Sequence, residues 1–239
     1  MEQKIRKRSG SGYRYLNIVT GVFVTCLIIS NIITVKIVAV GDIVLSAAIT
    51  IFPISYIFGD ILTEVYGYAR SRQVIWTGFA CNLLAVIAIQ IGAWLPAAPF
   101  WDGQAAYEQI LGYAPRLLLA SFIAYLVGEF TNSFVLAKLK ILTQGKWLWS
   151  RTIGSTLIGQ GFDTALFTLI AFTGTLTPDV MVNISLTEWF LKCLYEAIAT
   201  PVTYFVVNRL KRAEHEDYYD FHTNFNPLRL EGEAVRENL

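Results

Sequence analysis

Residues 52–67 read FPISYIFGDILTEVYG, an apolar run that contains two carboxylates, Asp60 and Glu64, four residues apart. If the run is a helix, Tyr56, Asp60 and Glu64 lie on one face of it. Ionisable side chains are costly in hydrocarbon, and those within membrane-spanning helices usually face a bundle interior or a cavity. The run therefore predicts one wall of a polar site inside a membrane protein.

The composition of the whole chain agrees with that class. Its 239 residues are 54% hydrophobic and 15% charged, with a mean hydropathy of +0.49, whereas soluble domains carry about 25% charged residues. Lysine and arginine alternate with apolar segments instead of forming one basic patch, so we do not expect a nucleic-acid partner.

Cysteine and histidine give no sign of a metal site or a disulfide framework. Cys26, Cys81 and Cys193 lie within apolar runs and form no CxxC pair, as is typical of buried free thiols. Both histidines, His215 and His222, fall in the polar C-terminal segment. We expect neither a metal nor a cofactor.

Six segments are long enough to cross a bilayer, which takes roughly 17–25 residues each. They lie near residues 16–38, 43–66, 73–95, 116–138, 153–177 and 185–208. The first has no small-residue cleavage site, so we expect a retained helix and not a signal peptide. The sequence thus predicts an all-α membrane protein: six transmembrane helices over residues 16–208, a basic N-terminus (1–15) and a tail (209–239).

Alternate connections between these spans carry the positive charge. The basic ones contain Arg70, Arg72, Lys138, Lys140, Lys146, Arg151, Arg209, Lys211 and Arg212, and the others contain Asp42, Asp102, Glu108 and Asp179. The positive-inside rule then predicts a multi-pass protein with both termini cytoplasmic. The long outer connection, residues 95–115, is either an aromatic belt or a short helix lying on the membrane.

Polar residues recur at helical spacing in three further spans. Span four carries Glu129 and Asn132, span five Ser155, Gln160 and Asp163, and span six Lys192 and Glu196. Small and hydroxyl residues such as Ser155 are expected to serve helix packing. Five carboxylates in four spans, however, indicate a shared polar cavity for a solute or an ion, because each would otherwise need separate neutralisation.

The residue types in this cavity suit a flat heterocycle. A carboxylate accepts hydrogen bonds from a ring N–H and an exocyclic amine, and Asn132 or Gln160 can satisfy a carbonyl. Candidates for stacking on the ring are Tyr56, Phe130, Phe162 and Phe167. A cation alone would suit the carboxylates as well.

Some of the same residues have a structural alternative. Glu64 could pair with Arg70 or Arg72 as an inner gate or lock, and Lys192 could neutralise Glu196 one turn away. Arg151 belongs to this group of gate or structural candidates. Pro53 removes a backbone donor, which predicts a bend in the helix beside the cavity.

Four sequence motifs resemble those of the queuosine precursor transporter family. They are FPxxYxxxDxxTEVYG at residues 52–67 with Arg70 and Arg72 after it, GEFxNS at 128–133, RTxxSTxxGQxxDT at 151–164, and FxTxFNP at 221–227. Together they cover most of the chain in order; only the connection at 95–115 has no match.

The resemblance implies uptake of 7-deazaguanine bases, chiefly 7-cyano-7-deazaguanine and its aminomethyl relative, across a bacterial inner membrane. It also implies a six-helix fold similar to the substrate-binding subunit of energy-coupling-factor transporters. Asp60, Asp163, Glu129 and Glu64, in that order, are then the leading ligand-binding candidates, with Glu129 or Asp163 on the guanine edge.

Two other functions stay open at this point. A vitamin-binding subunit that depends on an ATP-driven coupling module usually docks through an AxxxA surface on its first span, and residues 16–38 lack one; a coupling ATPase is therefore not expected, while a homo-oligomer stays open. An intramembrane enzyme would need a base beside a serine, but no span contains histidine; a pair such as Asp60 with Asp163 is conceivable.

Overall fold

The chain is described by a computed structural model that covers residues 13–40, 43–112 and 115–229. Its elements, in order, are α1 (Leu16–Ile33), β1 (Ile37–Val40), β2 (Ile43–Ser46), a 3-10 turn (Ala47–Thr50), α2 (Phe52–Tyr66), α3 (Tyr68–Trp94), α4 (Gln104–Leu111), α5 (Pro115–Leu142), α6 (Leu148–Phe172) and α7 (Pro178–Glu214). Most of the predicted N-terminal segment, together with Asp42 and the end of the tail, lies outside these ranges.

Five stretches of helix, containing α1, α3, α5, α6 and α7, are long and apolar enough to cross a membrane. Large apolar side chains on their outer faces are exposed, among them Leu84, Phe190 and Phe205. Outward apolar faces around a polar interior are typical of a bundle whose solvent is lipid. The all-helical membrane class expected from the sequence is confirmed.

The expected second span, residues 43–66, is not one continuous helix. β1 and β2 pair antiparallel, with Ile37 opposite Ser46, and α2 begins only at Phe52 and has 15 residues. At 1.5 Å per residue α2 is about 22 Å long, less than the roughly 30 Å of a hydrocarbon core. In the sequence, two runs rich in β-branched residues, 37–40 and 43–46, flank the turn-forming residues Gly41 and Asp42, which is a hairpin signal. An average of hydropathy over the segment does not detect it.

Pro53 occupies the first turn of α2, so the expected bend beside the cavity is wrong. A proline there costs no hydrogen bond, because the first N–H groups of a helix have no intrahelical acceptor. Pro53 therefore marks where α2 starts. The connection 95–115 contains a short helix, α4, whose Tyr107 hydroxyl donates to the Ile89 carbonyl of α3 at 3.0 Å; that this helix lies on the membrane stays a prediction.

The two ends of the bundle differ. At one end, here called the tail end, the backbone N–H groups of Arg14 and Tyr15 donate to the buried carboxylate of Glu214 at 3.0 and 2.6 Å. The Tyr66 hydroxyl donates to the same carboxylate at 3.0 Å. The start of α1 and the ends of α2 and α7 thus meet there. The opposite end, with the hairpin and the 3-10 turn, is called the open end.

Residues 215–229 fold across the tail end. The Tyr218 N–H donates to the Val65 carbonyl at 3.3 Å, and the buried Asp220 carboxylate accepts from the Tyr68 N–H at 3.1 Å. Gly67, with φ +82°, joins α2 to α3, and a Cβ built on it would lie 2.2 Å from the Tyr218 ring. This aromatic segment of the tail therefore packs against the end of the bundle.

Two glycines let α5 and α6 approach closely. A Cβ built on Gly159 would lie 2.7 Å from the Asn132 Cβ and 3.0 Å from the Gly128 carbonyl oxygen. A Cβ on Gly128 would lie 2.7 Å from the Asp163 Cβ. Small residues at such contacts bring helix backbones together in membranes. The contact holds Asn132 and Asp163 inside the bundle.

The Gly159→Ala variant should be destabilised by about 1–3 kcal/mol, because its new methyl group can be accommodated only by moving α5 away from α6. The measurement is the melting temperature of the purified protein in detergent. Gly161→Ala is the matched control on the same helix, since its Cβ would meet only the Trp189 ring at 3.6 Å. Equal melting of the two variants would show that the helices do not depend on this contact.

Candidate functional site

Polar side chains inside the bundle form three successive groups from the open end to the tail end. Helix α2 contributes to all three groups: in chain order, Phe52 belongs to the first, Asp60 to the second and Glu64 to the third. We call the groups the outer cavity, the buried carboxylate layer and the tail-end charge cluster. The buried carboxylate layer consists of Tyr56, Asp60, Glu129, Asn132, Gln160 and Glu196; the tail-end charge cluster consists of Glu64, Lys140, Arg151, Lys211 and Asp217.

The outer cavity has a volume of about 360 Å³ and lies among α1, α2, α3, α5, α6 and α7. That volume is within the range of small-molecule sites. Its lining includes the aromatic rings of Phe52, Tyr125 and Phe167, and the charged pair Asp163 and Lys192. A flat ligand of modest size therefore has apolar walls and a few polar groups to bind.

Asp163 and Lys192 form an ion pair in the wall of the outer cavity. The Lys192 Nζ lies 2.8 Å from Asp163 Oδ2 and 3.1 Å from the Thr164 hydroxyl. The same ammonium is 5.6 Å from the centre of the Phe52 ring. The alternative pairing of Lys192 with Glu196 on its own helix is wrong. Glu196 stays without an ion pair in the part of the chain that the structure describes.

Asp60 is the centre of the buried carboxylate layer. Its side chain is 1% exposed, and its Oδ1 accepts a hydrogen bond of 2.7 Å from Asn132 Nδ2. Its second oxygen has no hydrogen-bond partner among the described residues, and neither has Asn132 Oδ1. Glu129 and Glu196 lie within electrostatic reach of Asp60. The helices α2, α5 and α7 therefore bring three carboxylates together.

The other members of the layer also leave an oxygen unpaired. Glu129 Oε2, Gln160 Oε1 and Glu196 Oε1 are buried without a hydrogen bond to any described residue. The Tyr56 hydroxyl lies next to Gln160 but makes no hydrogen bond of normal geometry with it. Buried polar atoms are nearly always paired. This concentration of free acceptors indicates a place built to receive hydrogen-bond donors.

The layer has no cation of its own. Among the residues that the structure describes, no lysine or arginine forms an ion pair with Asp60, Glu129 or Glu196. An isolated buried carboxylate is strongly unfavourable. The three carboxylates therefore need protons, water or a donor-rich ligand to be stable.

Glu64 is the centre of the tail-end charge cluster and is fully buried. Its Oε1 lies 2.7 Å from Arg151 Nη2 and 2.6 Å from Lys211 Nζ. Lys140 Nζ is 3.7 Å from the same oxygen and donates to the backbone carbonyl of Glu64 at 2.5 Å. Three helices thus supply the cations that neutralise this one carboxylate.

Asp217 extends the cluster into the tail. Its Oδ1 lies 2.6 Å from Lys140 Nζ and 2.8 Å from Lys211 Nζ. Burial opposes ionisation of this carboxyl, but the two ammonium groups outweigh it and hold its pKa below the ordinary value. The tail is therefore fastened to the bundle by a charged contact that remains ionised at neutral pH.

The expected partners of Glu64 are wrong, because neither Arg70 nor Arg72 pairs with it. Arg70 donates to Gln73 at 3.1 Å. Arg72 Nη1 donates to the carbonyls of Asn224 and Asn226, both at 2.8 Å. Helix α3 restarts after the Gly67 turn and carries both arginines away from Glu64. Arg72 thus holds the tail, and only Arg151 of the proposed gate residues contacts Glu64.

Phe162, a candidate for stacking on the ring of the ligand, lies outside the site. Its side chain is 52% exposed on the outer face of α6, so it does not line the site. Phe167, five residues later, lines the outer cavity instead.

Ser155 donates to the Thr152 carbonyl of its own helix at 2.9 Å, as expected for a packing role. Asp60 and Asp163 bind different partners, Asn132 and Lys192, so they do not share a hydrogen bond as an acid pair would.

Several residues of these groups were not singled out in the sequence. The sequence places Lys140 and Lys211 only among the basic connections and Asp217 only within the tail, residues 209–239. Asn82, which lines the outer cavity, is a lone amide in an apolar run. A signal was available only for Asn82, because an amide in the middle of a membrane span usually has a partner.

The proteins that resemble this chain in sequence are described as transporters, which agrees with a polar site inside a membrane bundle. A family model described as "Putative vitamin uptake transporter" matches residues 46–206. A "Probable queuosine precursor transporter" of Bacillus subtilis (strain 168) is 32% identical over 146 residues, 61% of this chain and 64% of that protein. A "Queuosine precursor transporter" of Escherichia coli (strain K12) is 26% identical over 152 residues, 62% of this chain and 65% of that protein. No solved structure matches.

The matches leave part of each protein uncovered. The alignments span a little less than two thirds of the length of both curated relatives. The family match contains all of the buried carboxylate layer but stops before Lys211 and Asp217. The resemblance therefore bears most directly on the interior of the bundle.

Proposed function

The chain belongs to the family described as "Putative vitamin uptake transporter", and from that premise we propose that it imports queuosine precursors. The proposed substrates are 7-deazaguanine bases, 7-cyano-7-deazaguanine and its 7-aminomethyl relative. Two curated relatives carry names of this kind. The observation that carries the proposal is the buried carboxylate layer, whose free oxygens accept hydrogen bonds in the interior of a membrane bundle.

The chemistry of a deazaguanine matches that layer. Its ring N–H and exocyclic amine are adjacent donors, which a carboxylate such as Asp60 or Glu129 binds with two parallel hydrogen bonds. Its carbonyl accepts from the side-chain amide of Gln160. The aminomethyl form adds a cation, for which Glu196 is a counter-charge. Tyr56 contributes a ring against which the base packs.

The three groups suggest a route for the base. It enters the outer cavity, passes the Asp163–Lys192 pair and binds in the buried carboxylate layer. Release at the tail end requires the tail-end charge cluster and residues 215–229 to move, because they close that end. An inward opening of this kind is an alternating-access step around a fixed central site.

The distribution of charge supports an orientation. The basic residues of the connections, including Lys140, Arg151 and Lys211, gather at the tail end, so this end and both termini face the cytoplasm. We propose that α2, together with the described hairpin residues before it (37–40 and 43–46), makes up the sixth crossing. The result is a multi-pass protein of the bacterial inner membrane, with a fold similar to the substrate-binding subunit of energy-coupling-factor transporters.

Uptake into liposomes that contain only this protein tests the proposal. We expect saturable accumulation of 7-cyano-7-deazaguanine, recovered chemically unchanged and identified by mass spectrometry. Empty liposomes and a deazaguanine-free reaction are the controls. Recovery of an altered base would indicate an enzyme, and the transport proposal would fall.

The same assay separates a self-sufficient transporter from a subunit of an ATP-driven complex. Helix α1 contains no alanine and hence no AxxxA surface of the kind used for docking a coupling module. We therefore expect uptake without ATP. Absence of uptake in liposomes, together with uptake in cells that contain a coupling module, would favour the dependent subunit.

A further inference from the structure

Two asparagines meet in the wall of the outer cavity, away from the buried carboxylate layer. Asn31 on α1 donates from Nδ2 to Asn82 Oδ1 on α3 at 2.9 Å. Both residues line the cavity, and Asn82 is 7% exposed. Neither belongs to the ion pairs or to the buried carboxylate layer.

The bond between them leaves two unused groups side by side. A side-chain amide carries one carbonyl and one NH₂ group. The contact engages the NH₂ of Asn31 and the carbonyl of Asn82, so the Asn31 carbonyl and the Asn82 NH₂ stay available. Neither makes another hydrogen bond to the residues that the structure describes. If both amides are reversed, the pair still leaves one acceptor and one donor.

We propose that Asn31 and Asn82 form an outer recognition subsite for the lactam edge of a planar heterocycle. The ring N–H donates to the Asn31 carbonyl, and the adjacent ring carbonyl accepts from the Asn82 NH₂. Phe52, Tyr125 and Phe167 supply apolar and aromatic surface in the same cavity. The subsite deepens the proposed function, because it selects bases at the entrance before they reach the buried carboxylate layer.

A purely structural role for the pair makes a different prediction. Asparagine pairs between membrane helices also serve as links that hold the helices together. Loss of such a link lowers the amount of folded protein and affects every ligand alike. A recognition role changes the ratio between a ligand with the lactam N–H and one without it.

Equilibrium dialysis with guanine and 1-methylguanine distinguishes these roles. The two probes differ by a methyl group that blocks the lactam nitrogen. The full-length Asp60→Asn protein is used throughout, so that binding in the deeper layer contributes least. We expect this protein to bind guanine at least about fivefold more tightly than 1-methylguanine, as one well-placed hydrogen bond provides.

Adding Asn31→Leu removes the carbonyl that accepts from the ring N–H, so it should reduce guanine binding to the level of 1-methylguanine and leave binding of the methylated base unchanged. Asn17→Leu is the matched control, because Asn17 lies on the same helix as Asn31 but is exposed and outside the cavity. Should the leucine variant fail to fold, Asn82→Asp keeps the acceptor for Asn31 and replaces only the donor to the ring carbonyl. Guanine and 1-methylguanine both carry that carbonyl, so this variant should weaken binding of the two bases by the same factor.

Failure of this subsite and failure of the proposed function give different results. An unchanged ratio in the Asn31→Leu variant, unchanged binding of both bases by the Asn82→Asp variant, or no guanine binding by the Asp60→Asn protein overturns the subsite. Absence of deazaguanine uptake by the wild-type protein overturns the proposed function alone, because the dialysis ratio does not depend on transport.

Discussion

Replacing Glu64 with glutamine is expected to lower the free energy of unfolding by about 3–5 kcal/mol, the usual cost of leaving buried charges without their partner. Glu64 is fully buried and is the common partner of Arg151, Lys211 and Lys140. Glutamine keeps the shape of the side chain but removes its charge. Lys140 then keeps one carboxylate, Asp217, at the edge of the cluster, and Arg151 keeps none among the described residues, although each of the two side chains is only 1% exposed.

The measurement is thermal unfolding of the purified protein in detergent, together with the yield of folded protein from membranes. Glu108→Gln is the control, since Glu108 is exposed and its carboxylate accepts, among the described residues, only from Gln104. Asp217→Asn should have an intermediate effect, because its side chain is 46% exposed and solvent screens its interactions. If Glu64→Gln melted with the wild type, the cluster would have no part in stability.

Replacing Asp60 with asparagine is expected to reduce uptake by about 100-fold or more while the protein remains folded, because charged hydrogen bonds to the base are lost. Asparagine keeps the oxygen that accepts from Asn132. It replaces the unpaired oxygen Oδ2 with an NH₂ group. The layer therefore loses an acceptor for the donors of the base, whereas the contact between α2 and α5 is retained.

Uptake of 7-cyano-7-deazaguanine, normalised to the amount of folded protein, is the measurement, in liposomes and in a strain unable to make the precursor. Ser155→Ala is the matched control for a buried polar residue, because the Ser155 hydroxyl donates to the Thr152 carbonyl of its own helix and to no other described residue. Uptake by this variant should be close to that of the wild type. Wild-type uptake by Asp60→Asn would remove Asp60 from the site.

Helical periodicity was enough to identify most of the interior. Asp60 and Asn132 were assigned to the inner faces of separate spans, and the structure joins them by a hydrogen bond. The rule behind this success is simple: in lipid, a polar side chain turns inward, so its position along a helix determines its direction. Gln160 and Glu196 follow the same rule and are buried.

The pairing of these inward groups did not follow from their positions. Glu64 lies close in sequence to Arg70 and Arg72, yet its partners come from α5, α6 and α7, up to 147 residues away. Local sequence distance is a poor guide here because Gly67 turns the chain between α2 and α3. Hydropathy likewise joined residues 43–66 into one span, since it cannot tell a β-branched hairpin from a buried helix.

The sequence by itself determined that this chain is a helical membrane protein with carboxylates and amides facing inward, because the cost of polar groups in hydrocarbon acts on each helix separately. Only the tertiary structure decided how those groups divide into an outer cavity, a buried carboxylate layer and a tail-end charge cluster. That division depends on how helices distant in the sequence approach one another, and in particular on the close contact of α5 with α6 at Gly128 and Gly159.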